Sequence, residues 1–324
     1  MKNIFVTGIT GLLGTNLANE LLDAGYHVTA IARNPDKYFG KQSNNLRLIQ
    51  KDLFDDYDSY LKDIDVVVHI AAVTATNLLK YEEYERINYI ATTRLYEKAE
   101  SHGVTKFIFI STANTIGFGS FENPGIEVNE IRKPFSNHYY AQSKLQAEKY
   151  LLNQVGEVEV IILNPTFMIG AYDSKPSSGK LLLMGLDKRI VFYPQGGKSF
   201  VPVKDVVTAI INSFTKGESH EKYLIAGYNL SYKTFFKKLK NITKQSQILI
   251  PIPGVVLWFL GMVGDLLRVL HIKTNLSSDN IKALCINNYY SNQKSKEALK
   301  ITYSSLDSAI EESVDYFRNK RKLS

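Results

Sequence analysis

The sequence predicts an α/β fold: a doubly wound parallel sheet with a smaller C-terminal lobe interleaved with it. Apolar runs and helical patterns alternate through the first half of the chain, the order that builds parallel strands joined by right-handed crossovers. Several runs are apolar on successive residues, as in Val66-Val67-Val68 and Val160-Ile161-Ile162. Strands covered on both faces read this way. After about residue 164 the pattern changes to Gly- and Pro-rich segments, with Pro165, Gly170, Pro176, Gly179, Pro194 and Gly196.

Taken in order, strands are expected at residues 3–7, 28–32, 46–49, 66–70, 107–111 and 158–163, and helices at 11–23, 81–101 and 138–153. The first strand runs into Gly8-Ile9-Thr10-Gly11-Leu12-Leu13-Gly14. Strand, glycine turn and helix together suit a pyrophosphate. The bare backbone can approach it, and the helix N-terminus offers N–H groups and partial positive charge. The spacing is G-x-x-G-x-x-G rather than the usual G-x-G-x-x-G, and a glycine turn by itself is also an ordinary strand-to-helix connection. Residues 1–164 are read as a dinucleotide-binding domain and 165–324 as a substrate-side lobe. Segments near 200–226, at 200–203 and 223–225, are expected to return to the sheet.

The 324 residues are 44% hydrophobic, which suits one large core and an appended lobe. Net charge is +7, from 39 Lys+Arg against 32 Asp+Glu, a mild excess that gives no reason to expect nucleic acid as a partner. The basic tail at 318–322 reads as a frayed, solvated terminus. The single cysteine, Cys285, excludes an internal disulfide, and its apolar surroundings at 281–286 make it a buried packing residue. Six histidines show no metal-ligand spacing, so no metal is expected. The opening residues fit a buried strand rather than a targeting segment, and a reducing cytoplasmic setting is expected.

Tyr140 and Lys144 stand four residues apart in a helical pattern and so share one face. A nearby ammonium favours a phenolate and brings a phenol into a range useful for proton transfer. An isolated Tyr–Lys pair is commonplace on surface helices. Here it follows a strand that ends in Ser111 and Thr112, and ligands bind beyond the carboxyl ends of such strands. A hydroxyl there can orient a reacting oxygen.

With these residues the chain resembles the extended short-chain dehydrogenase/reductases, the NAD-dependent epimerase/dehydratase family. The match spans nearly the whole chain. It includes Thr7-Gly8-x-x-Gly11-x-x-Gly14, Asp52-Leu53, His69-Ile70-Ala71-Ala72, Asn88, Ser111-Thr112-Ala113, Tyr140-x-x-x-Lys144, Asn164-Pro165-Thr166 and 200–206. The resemblance implies a Rossmann domain and a set of roles. Tyr140 would be the general acid/base. Lys144 would depress its pKa and hold the nicotinamide ribose. Thr112, rather than Ser111, would supply the catalytic hydroxyl, and Asn88 would support the active-site backbone. Gly8, Thr10, Gly11, Leu12, Leu13 and Gly14 would hold the pyrophosphate. Asp52 and Leu53 would flank the adenine, and Ala71, Ala72, Asn164 and Thr166 would complete the cofactor contacts. Homodimers through the helices at 81–101 and 138–153 are implied as well.

The end of the second strand reads Ala32-Arg33-Asn34-Pro35, with no acid to bind a ribose 2′-hydroxyl. Arg33 suits a 2′-phosphate, so NADP is expected over NAD, and the alternative is an exposed arginine that stacks on adenine without choosing. The segment 164–170 resembles dihydroflavonol-reductase-like and 3β-hydroxysteroid-dehydrogenase-like members. Ala113-Asn114 replaces the Asp-Glu pair of 4,6-dehydratases. The reaction expected is hydride transfer between nicotinamide and a ketone, aldehyde or secondary alcohol on an apolar body. A nucleotide-sugar epimerase with retained cofactor is the alternative, and a cofactor-sensing protein without turnover is a minor one. The apolar run 248–270 reads first as a core or dimer-packing helix. A lid carrying Trp258, or a helix resting on a membrane surface, are the other readings, and Pro251, Pro253, Asp265 and Arg268 leave too short a clean stretch for a transmembrane span.

Overall fold

In the computed structural model, which describes residues 2–174 and 178–323, the elements of the first half follow the sequence pattern closely. They are β1 (Asn3–Thr7), α1 (Leu12–Asp23), β2 (His27–Ala32), β3 (Leu46–Gln50), β4 (Val66–His69), α2 (Tyr81–Glu85), α3 (Ala91–Ser101), β5 (Lys106–Ile110), α4 (Tyr139–Leu152) and β6 (Glu159–Pro165). The helix expected at 81–101 is interrupted by a π-helical turn at Arg86–Ile90, a local widening that often marks functional sites. The second half contributes β7 (Phe167–Ile169), α5 (Gly179–Gly185), β8 (Ile190–Tyr193), β9 (Gly197–Pro202), α6 (Val203–Asn212), β10 (Glu221–Ile225), β11 (Tyr228–Ser231) and α7 (Tyr232–Thr243). It continues with β12 (Ile248–Pro251), α8 (Gly254–Val269), α9 (Ser278–Cys285), β13 (Asn287–Asn288), α10 (Gln293–Leu299) and α11 (Leu306–Leu323).

Seven strands form the main sheet in the order β10-β6-β5-β4-β1-β2-β3, and every pairing in it is parallel. Successive side chains of one strand serve opposite layers, as pleating requires. Ile4 and Val6 join Leu17, Leu21, Val206 and Ile210 on one face. Phe5 joins Leu95, Tyr96 and Leu151 on the other. Chain order reverses between β1 and β4, and a crevice for a ligand opens at such a reversal.

The return to the main sheet is narrower than the sequence suggests. The segment 221–225 enters it as β10 beside β6. Phe200–Val203 does not: β9 pairs with β7, β11 and β13 in a separate four-stranded sheet. Phe200 leaves the main sheet because its ring stacks on Phe235 of α7 at 4.6 Å within the second core of the lobe. Two further expectations change. The C-terminal tail is not frayed: α11 continues to Leu323, Arg318 pairs with Asp187 at 3.1 Å, and Lys320 Nζ donates to the Ser174 carbonyl. The side chains of Arg321 and Lys322, and Pro176, lie outside the described residues. Cys285 is half-buried rather than enclosed.

The glycine turn is held by backbone crowding. A Cβ on Gly14 would lie 2.2 Å from the Gly8 carbonyl oxygen and 2.6 Å from Ile9 Cα. A Cβ on Gly11 would meet nothing nearer than 3.5 Å, and the residue's φ of −94° suits any side chain. Gly14→Ala is therefore expected to cost at least about 2 kcal/mol of stability, while Gly11→Ala leaves it within about 0.5 kcal/mol. Urea unfolding of the two variants checks this. Equal losses would show that the turn is not packed as described.

Candidate active site

A cleft of about 400 Å³ opens where chain order reverses, at the carboxyl ends of β1, β2, β4 and β5. Its floor is the glycine turn. Gly8 has φ +77°, and a Cβ there would lie 2.7 Å from the Ala71 nitrogen, so the loops after β1 and β4 touch backbone to backbone. Thr7 and His69 stitch the same two strands. Thr7 Oγ1 accepts from the Ile70 and Ala71 amides, both at 3.2 Å, and its hydroxyl meets His69 Nδ1 at 2.7 Å. His69 Nε2 meets Thr92 Oγ1 at 3.0 Å. Burial holds the His69 imidazole neutral, with its pKa lowered to about 3.

Of the residues expected to bind the cofactor, Gly8, Thr10, Gly11, Leu12, Leu13, Arg33, Asp52, Leu53, Ala71, Ala72 and Tyr140 line this cleft. Gly14, Lys144, Asn164 and Thr166 do not. Gly14 packs against the turn. Asn164 is fully buried, and its Nδ2 donates to the Thr112 carbonyl, Thr115 Oγ1 and Glu148 Oε1. Thr166 lines a separate cavity of about 130 Å³ with Thr112, Asn114, Lys198 and Asn288. Lys37 and Lys51 join Arg33 on the main cleft. Sequence reasoning missed both, although Lys37 follows Arg33 by four residues.

The cleft fits a dinucleotide. Gly11 lines the cleft before the first turn of α1, and a Cβ there would touch only the Gly8 carbonyl oxygen, at 3.5 Å. The unpaired N–H groups of that turn suit a diphosphate. The cations at the β2 end suit a further phosphate.

A second cleft, of about 850 Å³, lies between α4, the 76–84 segment and α8–α9. Leu78, Leu79, Tyr84 and Tyr139 give it apolar surface, and its charged lining is mixed: Lys80, Arg268 and Lys273 with Glu83, Asp265 and Asp279. Tyr140 lines both clefts. The Thr112 side chain stands beside its phenol and favours the phenolate. Ser111 is unavailable for that contact, because its hydroxyl donates to Glu148 Oε1. Asn88 sits in the π-helical turn and faces neither cleft. Its Oδ1 accepts from the Val73 amide at 2.8 Å and its Nδ2 donates to Ser143 Oγ at 3.0 Å, which ties the loop after β4 to α4.

One expectation is reversed by the electrostatics. Burial pushes the Tyr140 phenol up to about 12, the Thr112 side chain opposes that rise, and Glu148 adds to it. Lys144 does not depress it, because its ammonium turns away: Nζ donates to the Ile110 carbonyl at 2.7 Å and lies 3.8 Å from the Phe109 ring centroid. Burial brings Lys144 itself down to about 7, against the pull of Glu148. Glu148 carries no mark in the sequence beyond its spacing, four residues past Lys144 on the same helix.

The lid expectation also fails for Trp258, which is 62% exposed and absent from the cleft lining. Asp265, Arg268 and Val269 of the same helix line the cleft instead. Nor is α8 a core helix, since most of its large side chains are exposed.

Comparison with known proteins gives a consistent result. The family model of the NAD dependent epimerase/dehydratase family matches residues 4–226. A Synechocystis sp. protein named "Putative dihydroflavonol 4-reductase" is 26% identical over 97% of this chain and 94% of its own length. A Dictyostelium discoideum sterol-4-alpha-carboxylate 3-dehydrogenase (decarboxylating) is 25% identical over 83% of this chain and 87% of its own. The fold is shared with a UDP-glucuronic acid 4-epimerase from Bacillus cereus, solved with UDP-glucuronic acid and NAD. That comparison has a TM-score of 0.78 at 20% identity, covering 98% and 99% of the two chains.

The buried ammonium carries a pH signature. On folding, the pKa of Lys144 falls from 10.5 to about 7, so the charged form is the disfavoured one. Its cost to stability is full below pH 7 and fades as pH rises toward 10.5. Lys144→Met is expected to stabilise the cofactor-free protein at pH 6 and to gain little at pH 10, measured by urea unfolding at both. A gain that grows with pH would overturn this assignment.

Proposed function

The chain belongs to the NAD-dependent epimerase/dehydratase family, enzymes of the extended short-chain dehydrogenase/reductase type, and from that premise we propose that it is an NADP-dependent oxidoreductase acting on a ketone, aldehyde or secondary alcohol. The observation that carries this reading is the place of Tyr140, the side chain common to the dinucleotide-sized cleft and the larger cleft beside it. Bound, the nicotinamide cofactor supplies hydride exchange with a carbon of the substrate. The chain's own residues do the rest.

The glycine turn and the first turn of α1 hold the pyrophosphate, with Asp52 and Leu53 beside the adenine. Arg33, with Lys37 and Lys51, holds the 2′-phosphate, which a backbone lacking an acid there does not repel. Thr112 and Tyr140 together address the substrate oxygen. Burial keeps the phenol protonated through the neutral range, the form that donates a proton to a carbonyl oxygen as it becomes an alcohol. Lys144 and Asn88 support the site from behind. Leu78, Leu79 and Tyr84 receive the apolar body of the substrate. A homodimer through α2–α4, where Ile90 is exposed, and a cytoplasmic setting complete the proposal.

A second reading is a nucleotide-sugar epimerase. Lys80, Arg268 and Lys273 on the larger cleft, which also carries Glu83, Asp265 and Asp279, offer cations to a diphosphate, and the Bacillus cereus protein of the same fold is an epimerase. Cofactor exchange separates the two. Free exchange with stoichiometric NADPH oxidation on a carbonyl panel supports the reductase, and tightly retained cofactor with no net oxidation supports the epimerase.

Tyr140→Phe is expected to lower kcat about 10²- to 10⁴-fold while the dissociation constant for NADPH, read by fluorescence titration, moves less than about threefold. An unchanged kcat would remove Tyr140 from the chemistry.

Arg33→Ala is expected to weaken NADPH at least about tenfold, the worth of a lost charge-assisted pair, and to leave NADH unchanged. Tighter binding of NADH than of NADPH by the unmodified chain, or equal weakening of both, would defeat the NADP assignment.

A further inference from the structure

Helix α8 is built inside out. Along one side, Val255, Phe259, Met262, Leu266 and Val269 recur at helical spacing and are 44–76% exposed, with Trp258 beside them at 62%. The side facing the protein carries Leu257, Gly261 and Gly264, with the helix's two charged residues adjoining. Asp265 Oδ1 accepts from the Ser278 amide at 3.0 Å, and Arg268 donates to the Leu78 carbonyl at 2.9 Å. The helix cannot roll to hide its apolar side. A Cβ on Gly264 would lie 2.4 Å from the Leu276 carbonyl oxygen, and one on Gly261 would lie 3.1 Å from Ser278 Cα. Larger side chains have no room at these two positions.

The apolar surface continues past the helix. β8 and β12 pair in register, Ile190 with Ile248 and Phe192 with Ile250. All four of these side chains are exposed, so they share the outer face of this two-stranded sheet. From Ile248 to Gly264 the chain has no charged side chain. Exposed Lys188 and Arg189 immediately precede Ile190, and exposed Lys244 ends the helix before β12. A soluble monomer rarely exposes a contiguous apolar face of this extent.

We propose that the outer faces of α8 and the β8–β12 pair form a docking surface for an anionic lipid bilayer, with the helix lying in the interface plane. The apolar stripe enters the acyl boundary, and Trp258 sits at the headgroup level. Lys188, Arg189 and Lys244 meet acidic headgroups at one edge. Among the described residues no helix is long and apolar enough to cross a membrane, so contact is peripheral. A second copy of the chain fits this face less well. The stripe offers no hydrogen-bonding groups to fix a register, and Asp187, the acid beside Lys188, is paired with Arg318. Val269 belongs both to the apolar stripe and to the lining of the larger cleft, which brings the cleft mouth to the lipid. The docking surface does not rest on the enzymatic reading, and its test uses neither cofactor nor turnover.

Trp258 is the only tryptophan of the chain and reports from within the surface. The full-length protein is titrated with vesicles of phosphatidylcholine and phosphatidylglycerol, and with phosphatidylcholine alone. The expected result is a blue shift of its emission on the mixed vesicles, quenching by brominated acyl chains, and co-sedimentation. Val255→Asp with Phe259→Asp abolishes all three without altering the unfolding midpoint, because both side chains are exposed. Lys188→Ala with Arg189→Ala lowers partitioning onto the mixed vesicles roughly thirtyfold, about fivefold for each cation removed, and leaves phosphatidylcholine unaffected. No shift or quenching on either vesicle, or an unchanged response in the Val255/Phe259 variant, overturns the proposal. So does a blue shift that grows with protein concentration in the absence of vesicles and tracks a doubled mass in sedimentation equilibrium, which would assign the face to a second copy.

Discussion

The buried carboxylate of Glu148 holds together the end of the sheet on which the chemistry depends. Its Oε1 accepts from Ser111 at the end of β5, from Thr115 in the following turn and from Asn164 in β6. Lys222 of β10 stands 3.7 Å from its other oxygen. Three neighbouring strands and α4 thus converge on one side chain. The arrangement decides which hydroxyl is available. Ser111 is consumed by the carboxylate, and Thr112, one residue on, faces the opposite way and meets Tyr140. Burying a charge is expensive. The expense is accepted here at the one place where several backbones must be fixed relative to one another.

The same environment explains the directions in which the two titrating groups of α4 move. Both are pushed toward their neutral forms by burial, the phenol upward and the ammonium downward. Glu148, as the nearby negative charge, opposes the second effect and reinforces the first. A lysine four residues from a tyrosine need not act on it. The ammonium that the helix places near the phenol is drawn to a backbone carbonyl instead, and distance and orientation determine the coupling. In the cofactor-free state the phenol therefore keeps its proton through the neutral range.

Much of this was legible before any coordinates. Successive apolar residues identified the parallel strands because a sheet covered on both faces leaves no polar side to alternate with. Gly8 and Gly14 were legible because close backbone approach excludes a Cβ. The expected return of Phe200 to the main sheet fails because a strand sequence does not name its partner: the run 200–203 is apolar, as a main-sheet strand would be, and packing against Phe235 makes the choice. Lys37 and Lys51 were invisible because a lysine on a loop looks the same whether it faces a cleft or water. Glu148 was half visible, as the third member of a Tyr140–Lys144–Glu148 series at helical spacing, but its partners come from distant strands that periodicity cannot supply.

The apolar run at 248–270 was the hardest to read, for a physical reason. Hydrophobic side chains in a helical pattern normally mark the face that is buried, and that inference assumes water is the only solvent outside. In α8 the two glycines and the two charged residues occupy the inner face, where close contact and specific hydrogen bonds replace apolar burial. The helix is therefore fixed by backbone proximity, by buried Leu257 and by Asp265 and Arg268, not by its exposed apolar stripe. This frees its apolar face from any structural duty toward the protein. An exposed apolar surface with no part in holding the fold is explained by what it contacts outside the chain. Because Asp265, Arg268 and Val269 also wall the larger cleft, whatever the outer face rests on lies against the entrance to the site.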